Sequence, residues 1–358
     1  MAQACLGVLL RLDPHIDEAS IEDFPLARYT AVHFDDHAEF EGVLSHICDG
    51  VDLLLDADKS HFAVWFWVCR GHWSNERLDV TPLYYVSERG YRGLVDHLIS
   101  QRPEDVNVRV DSDTPLHAAL EEGHADLAQL LLRHCADVDV RGYLDRTSLH
   151  LAAYHGFLDV TRTLVEPNAD IKARGCFGDT PLHRTMDDWF QQSERIQDSR
   201  LAAMKFLLEH GADPDAKNDH QKTPLHEASY NGSAKGAQLI LEHGANIHAW
   251  NKKGQEPLHR ILVGLTDTTD ALDTFLDTMR FLLEHGAGVD ALDDNYVTPL
   301  HVASYNGCVK GARLLLEHGA NVHLEDEKGS TPFQVALERG KTNITQLLSE
   351  HLRSQQKI

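Results

Sequence analysis

Thr298-Pro-Leu-His-Val-Ala-Ser-Tyr-Asn-Gly307, with Leu314-Leu-Leu-Glu-His-Gly-Ala-Asn321 close behind it, decides the fold of this chain. Its first four residues recur, lightly reworded, at Thr81–Tyr84, Thr114–His117, Thr147–His150, Thr180–His183, Thr223–His226, Glu256–His259 and Thr331–Gln334. Successive starts lie 33, 33, 33, 43, 33, 42 and 33 residues apart. A fixed period of this length marks a stacked-repeat solenoid, in which each unit buries its apolar face only against its neighbours.

Each copy reads as a pair of helices. Thr is an N-cap whose hydroxyl accepts from a backbone N–H one turn on, and Pro follows at the first helical position, where no donor is lost. Gly123, Gly156, Gly232 or Gly307 stops the first helix. The second carries the long apolar stripe, as in Leu127, Leu130, Leu131 and Leu132. Gly211, Gly244, Gly286 and Gly319 then fall where a left-handed cap is wanted. Segments such as Ala245-Asn-Ile-His-Ala-Trp250 read as a loop or short β-hairpin leading to the next copy.

On these residues the chain resembles the ankyrin repeat, in eight copies over about residues 71–358. The resemblance implies an all-α solenoid of about eight helix-turn-helix repeats with short β-hairpin loops. It also implies a concave face, lined by hairpins and first helices, that grips protein partners. Counting from Thr81, the copies are here called repeats one to eight.

Departures from the pattern carry expectations. Cys135 and Asn168 replace the capping Gly, and Cys135 is expected to be the more strained of the two. Pro167 is expected to shorten the second helix of repeat three, and Glu256 to cap less well than Thr. Repeat four carries ten extra residues around Met186–Leu201 and repeat six nine around Leu262–Asp277. Each insertion is expected to extend its helix pair at the end away from the hairpins. Trp189 and Phe190 in the first read either as a binding feature or as a plug. Repeats five and seven are near copies, which points to tandem duplication of a two-repeat unit.

Residues 1–70 do not repeat and are expected to form a small helical segment that caps repeat one. Phe24-Pro-Leu-Ala-Arg-Tyr-Thr-Ala-Val-His-Phe34 predicts a helix, and residues 41–55 a second with Val43, Ile47, Val51, Leu54 and Leu55 inward, ended by Asp56-Ala-Asp58. Phe62-Ala-Val-Trp-Phe-Trp-Val68 is too apolar to stay exposed and should pack on repeat one. Residues 2–12, Phe24–Tyr29 and His61–Trp65 resemble the segment between NTPase and ankyrin array in fungal NACHT–ankyrin proteins, which are NOD-like architectures. This resemblance implies the sensing half of such a receptor, with an NTPase module in the full-length relative. The chain itself has no G-x-x-x-x-G-K-[ST] loop. The mid-helix character of residues 2–12 favours some sequence upstream. A reading of a different class is a regulatory subunit or domain of an enzyme encoded upstream or in trans.

The net charge of −23, from 33 Lys and Arg against 56 Asp and Glu, disfavours nucleic acid phosphates and anionic membranes. It favours a basic or neutral protein partner. Six scattered cysteines without a C-x-x-C pair read as reduced thiols in a cytoplasmic protein. The apolar run at residues 4–10 reads as buried helix, too short to span a bilayer.

Of 24 histidines, eleven belong to the repeat. Six are the fourth residue of the motif and five precede the second cap. Successive copies sit about 10 Å apart by helix packing, too far to share a metal. They read as structural, and no metal, cofactor or catalytic site is expected. Asp56-Ala-Asp-Lys-Ser60 lacks the Gly and Glu of a calcium loop and reads as a helix break. The candidate binding residues are aromatic. Tyr154, Tyr230 and Tyr305 hold equivalent positions late in a first helix, while Tyr143, Phe177, Trp250 and Tyr296 fall at or near hairpin tips. Tyr and Trp are common interface hot spots.

Overall fold

The computed structural model describes residues 2–11, 29, 33, 44–56, 62, 65, 66, 69, 80–166, 169–189, 192–269 and 272–355. Apart from Tyr29 and His33, the helix expected over Phe24–Phe34 lies outside the described residues, as do Pro167, Asn168 and Phe190 and most of the break after Asp56. The described residues form two compact units, Met1–Ser148 and Leu149–Ile358.

The first unit begins with helix Ala2–Leu9, which buries Cys5, Leu6 and Leu9. It packs on helix Leu44–Leu54 so closely that a Cβ on Gly50 would lie 2.5 Å from Leu6 Cδ2. Val51, Leu54 and Leu55 are buried, as their spacing predicts. The apolar stretch from Phe62 does pack on repeat one. Phe62, Trp65 and Phe66 surround Tyr85 of helix Pro82–Arg89 edge-on, with ring centroids 6.1, 5.3 and 5.1 Å away. Burial among these rings raises the Tyr85 phenol well above its usual range. Polar ties reinforce the contact: His97 meets Asp52 at 2.6 Å and Arg102 meets Asp56 at 3.5 Å. Helices Arg92–Gln101, Pro115–Glu121 and Ala125–Arg133 complete repeats one and two.

The second unit carries the helix pairs of repeats three to eight. Repeats three, five and seven are regular, with Ser148–His155 and Leu158–Val165, Pro224–Tyr230 and Ala234–Glu242, and Pro299–Asn306 and Val309–Glu317. In repeats four and six the first helices shrink to Pro181–Arg184 and Pro257–Ile261. The second helices grow to Glu194–Glu209 and Leu272–Glu284, so the insertions add turns at the N-terminal end of helix two. Pro332–Glu338 and Thr342–Gln355 form repeat eight.

One interaction repeats through both units. The Thr hydroxyl accepts from the N–H of the histidine three residues on, as Thr114 does from His117 and Thr298 from His301 at 3.4 and 3.3 Å. The same histidine turns Nδ1 back to accept from the N–H of the cap residue. Those distances are 3.2 Å for Thr180, 3.1 Å for Thr223, 3.2 Å for Glu256 and 3.1 Å for Thr298. This is a capping box with His in the place usually held by Glu or Gln. Glu256 keeps the reciprocal geometry despite its different side chain.

With Nδ1 an acceptor, the proton sits on Nε2, which donates across to the next repeat. His150, His183, His226, His259 and His301 reach the carbonyls of Asp179, Lys222, Gln255, Val297 and Ser330 at 2.9 to 3.0 Å. Each of these carbonyls belongs to the residue just before the next cap. In repeat eight Gln334 stands in the histidine's place, and its Oε1 accepts from Thr331 N–H at 2.7 Å.

Glycine caps behave as expected, and Cys135 holds the left-handed conformation at φ 62°, with the steric cost of a Cβ there. The loops differ from expectation. Among the described residues no strand forms, and the one β-pairing is an isolated bridge from Val110 to Asp113. In four of the loops an Asn or Asp oxygen accepts the backbone N–H groups of the turn instead.

Burial lowers the pKa of His117, His183, His226, His259 and His301, to about 4 for His226. Their ordinary value is near 6.5. The unfolded chain therefore binds more protons than the folded one between these values. The histidine contribution to stability is complete above pH 6.5 and is lost as pH falls toward 4. Urea midpoints measured across this window should fall steadily on acidification. His226→Gln keeps the cap but strands the Gln255 carbonyl. It should cost about 1–3 kcal/mol at neutral pH and flatten the acid limb. Trp65→Ala should cost about 3–5 kcal/mol in urea unfolding, because the ring is fully buried.

Candidate interaction surface

The loop tips share one design. In the five residues before the caps of repeats five to eight, the first is Asn or Asp and its Oδ1 accepts two backbone N–H groups. Asn218 takes His220 and Lys222, Asn251 takes Lys253 and Gln255, Asp293 takes Asn295 and Val297, and Asp326 takes Lys328 and Ser330, all within 2.8–3.2 Å. Short polar side chains commonly stabilise turns in this way. The loops are also tied in a row. The second residue of each donates its N–H to the third residue's carbonyl in the loop before it: Asp219 to Phe177, Lys252 to His220, Asp294 to Lys253 and Glu327 to Asn295. These bonds are 2.9 to 3.1 Å long.

The fourth residue of each tip must be left-handed. Gly178, Gly254 and Gly329 fill that slot at φ 70–75°, where a Cβ is unwelcome. Gln221 and Tyr296 fill it at φ 55° and 58°. Tyr296 thus sits where glycine fits better, and its ring is 58 % exposed. Phe177 is also exposed on a tip and Trp250 just before one, and Lys217 Nζ lies 4.0 Å from the Trp250 ring centroid. Tyr143 is exposed in the first unit, its N–H bonded to Asp113 Oδ1 at 2.7 Å.

The tyrosines late in the first helices of repeats three, five and seven each carry a cation from the next repeat. Arg184 and Arg200 lie 5.3 and 4.6 Å from the Tyr154 ring centroid, Arg260 4.6 Å from that of Tyr230, and Arg339 4.0 Å from that of Tyr305. Such stacking holds a planar guanidinium in place while leaving its donors available. Tyr230 and Tyr305 are exposed, whereas Tyr154 is half-buried and its hydroxyl donates to Asp188 Oδ2 at 3.1 Å. The sequence reading found the tyrosines and missed the arginines. A signal existed for two of them, since Arg184 and Arg260 directly follow the motif histidine.

The insertions stay on the body of the repeats. Trp189 is buried, which makes it the plug of the two alternatives. Arg200 is almost wholly buried and pairs through Nη1 with the Asp187 carbonyl, while Arg184 pairs with the Asp187 carboxylate. Burial raises the Asp187 pKa to about 6. Gly156 permits this packing: at φ 72°, a Cβ there would lie 2.6 Å from the Arg200 backbone nitrogen. In the second insertion, Asp267 reaches over to cap the second helix of repeat seven. Its carboxylate accepts from Val309 and Lys310 N–H, both at 3.1 Å.

The helix-two histidines are structural too. His210, His243, His285 and His318 donate through Nδ1 to the carbonyl four residues back at 2.8 to 2.9 Å. Among the described residues no group of three His, Cys, Asp or Glu side chains is placed to hold a metal ion. Nor is any described helix long and apolar enough to cross a membrane.

Stacked helix pairs with exposed aromatic residues on ordered loop tips define a protein–protein interaction module, a class that is generally non-catalytic. Family models for ankyrin repeats match residues 47–142, 83–175, 149–251 and 193–272 in one form and 282–336 in another. The chain belongs to the ankyrin-repeat family. No curated protein matches it.

The Asp267 contact can be tested in isolation. Asp267→Ala should destabilise the unit by about 1 kcal/mol, the usual worth of a helix cap. Hydrogen exchange at Val309 and Lys310 should speed up, while that of the helix-one amides of repeat seven stays as it was.

Proposed function

We propose that this chain is the ligand-sensing half of a receptor of NOD-like architecture. Residues 1–70 are its capping segment and residues 71–358 the array that grips a protein ligand in the cytoplasm. Its ligand contacts are Tyr143, Tyr154, Phe177, Tyr230, Trp250, Tyr296 and Tyr305, and the NTPase module is carried by the full-length relative. The resemblance of residues 2–12, Phe24–Tyr29 and His61–Trp65 to the segment that joins these parts supports the receptor context. The charge of −23 supports a ligand that is basic or neutral overall.

One observation carries the binding surface. Tyr296 holds an exposed ring on a backbone conformation that disfavours any side chain. A left-handed residue with a Cβ costs about 1–2 kcal/mol, and strain of this kind gathers at binding sites. An aromatic residue kept at such a position serves something other than the fold.

Immobilised chain would be used to retain partners from cell extract, with the retained proteins identified by mass spectrometry. Changing Tyr143, Phe177, Trp250 and Tyr296 to Ala should leave thermal stability nearly unchanged, since exposed substitutions usually stay within about 0.5 kcal/mol. Retention should nevertheless drop. Unfolding of these variants would assign the aromatics to structure and sink the surface. Tyr296→Gly is the sharper case: the variant should melt higher than the parent and retain less.

A further inference from the structure

We infer that the first helices of repeats five to eight receive two carboxylate side chains from the bound protein. One sits on the Tyr230–Arg260 stack and the other on the Tyr305–Arg339 stack. The inference rests on the protein-binding reading above and specifies the chemistry of the ligand.

The template is the third stack of the same kind. At Tyr154 the stacked arginines have carboxylates built in. Asp187 pairs with Arg184, and Asp188 accepts the tyrosine hydroxyl at 3.1 Å. Asp188 is held there at a left-handed φ of 49°. The later stacks repeat the ring and the guanidinium without the acid. Among the described residues neither Arg260 nor Arg339 makes an ion pair, whereas Arg184 pairs with Asp187. In a chain with 56 acidic and 33 basic residues, two uncompensated arginines on equivalent tyrosines are not a consequence of composition. A guanidinium held over a ring by its cationic carbon keeps a fork of N–H donors that can grip a carboxylate through two bonds.

The surroundings select the source of that carboxylate. Arg339 and Tyr305 line a groove of about 530 Å³ with Val302 and Val335. Asp326, Glu327 and Glu338 also line it, opposed by Lys328. Asp326 Oδ1 is already committed to loop N–H groups, while Glu327 and Glu338 would repel a polyanion such as nucleic acid. The occupant is therefore a protein segment with separate Asp or Glu anchors, the one entering this groove flanked by basic residues. Such a segment is compatible with a partner that is basic or neutral overall.

Displayed random peptides would be selected on the full chain, and the winners synthesised and titrated against it by fluorescence anisotropy. The same titration would use Arg260→Gln, Arg339→Gln and the two Lys variants, each first shown to melt like the parent. Winners should carry an acidic residue at a recurrent position. Affinity should fall about tenfold for each arginine removed. Asp→Asn or Glu→Gln in the peptide should cost the same, and Lys should restore only part, because an ammonium lacks the fork. Winners with no acidic position, or with affinities indifferent to both Gln variants, would overturn the inference while leaving the protein-binding reading in place. Failure to enrich any peptide on the parent chain would count against both.

Discussion

The structure depends on one imidazole used twice. The motif histidine accepts from its own cap through Nδ1 and donates to the next repeat through Nε2. The first bond fixes the tautomer that the second requires, so closing a helix end and setting the distance to the neighbour become one event. An ordinary capping box with Glu or Gln performs only the first task. Gln334 shows the difference within this chain, since it caps Thr331 through its carbonyl oxygen. Because burial disfavours the charged ring, the pKa of these histidines is held down, and the stability of the array depends on the proton concentration of its surroundings.

The loops follow from that spacing. In repeats three to seven the histidine holds the carbonyl just before the next cap, which pins the exit of a five-residue turn. The Asn or Asp at the turn's start closes it from inside, and the residue-to-residue bond between adjacent tips fixes its tilt. These turns are held without a ladder of strands, by the side-chain oxygen inside and the neighbouring tip's carbonyl outside. What projects from the turn is then decided by residues free of these duties, and several are aromatic.

Much of this was legible in the sequence. The period announces stacked helix pairs, and the Thr-Pro-Leu-His phrase announces the caps. The need of Phe62, Trp65 and Phe66 for cover was readable from their density alone. The rest was hidden because it crosses repeats. A histidine at the third helical position reads as part of a cap; its second bond involves a carbonyl some 29 to 39 residues on, and backbone carbonyls leave no trace in sequence. The tyrosines were visible by equivalence, but their arginines come from the following repeat, and Arg339 occupies a different position in its repeat from Arg184 and Arg260. Trp189 stayed undecided for a similar reason, since only packing separates a plug from a contact. The Asn or Asp five residues before four of the caps was in plain view and was passed over, because polar residues in loops are common enough to look uninformative.

The row of tied tips also makes the second unit a graduated scale. Its marks are alike in backbone and differ in what stands on them, and the tyrosine stacks return at every second mark. Adjacent repeats present different side chains at this level, whereas repeats two apart present the same tyrosine–arginine chemistry. In repeat three the equivalent stack differs, because Asp187 pairs with Arg184 and Asp188 with the Tyr154 hydroxyl. Of the three tyrosine stacks, only the one at Tyr154 carries its own aspartates, both at the head of an insertion.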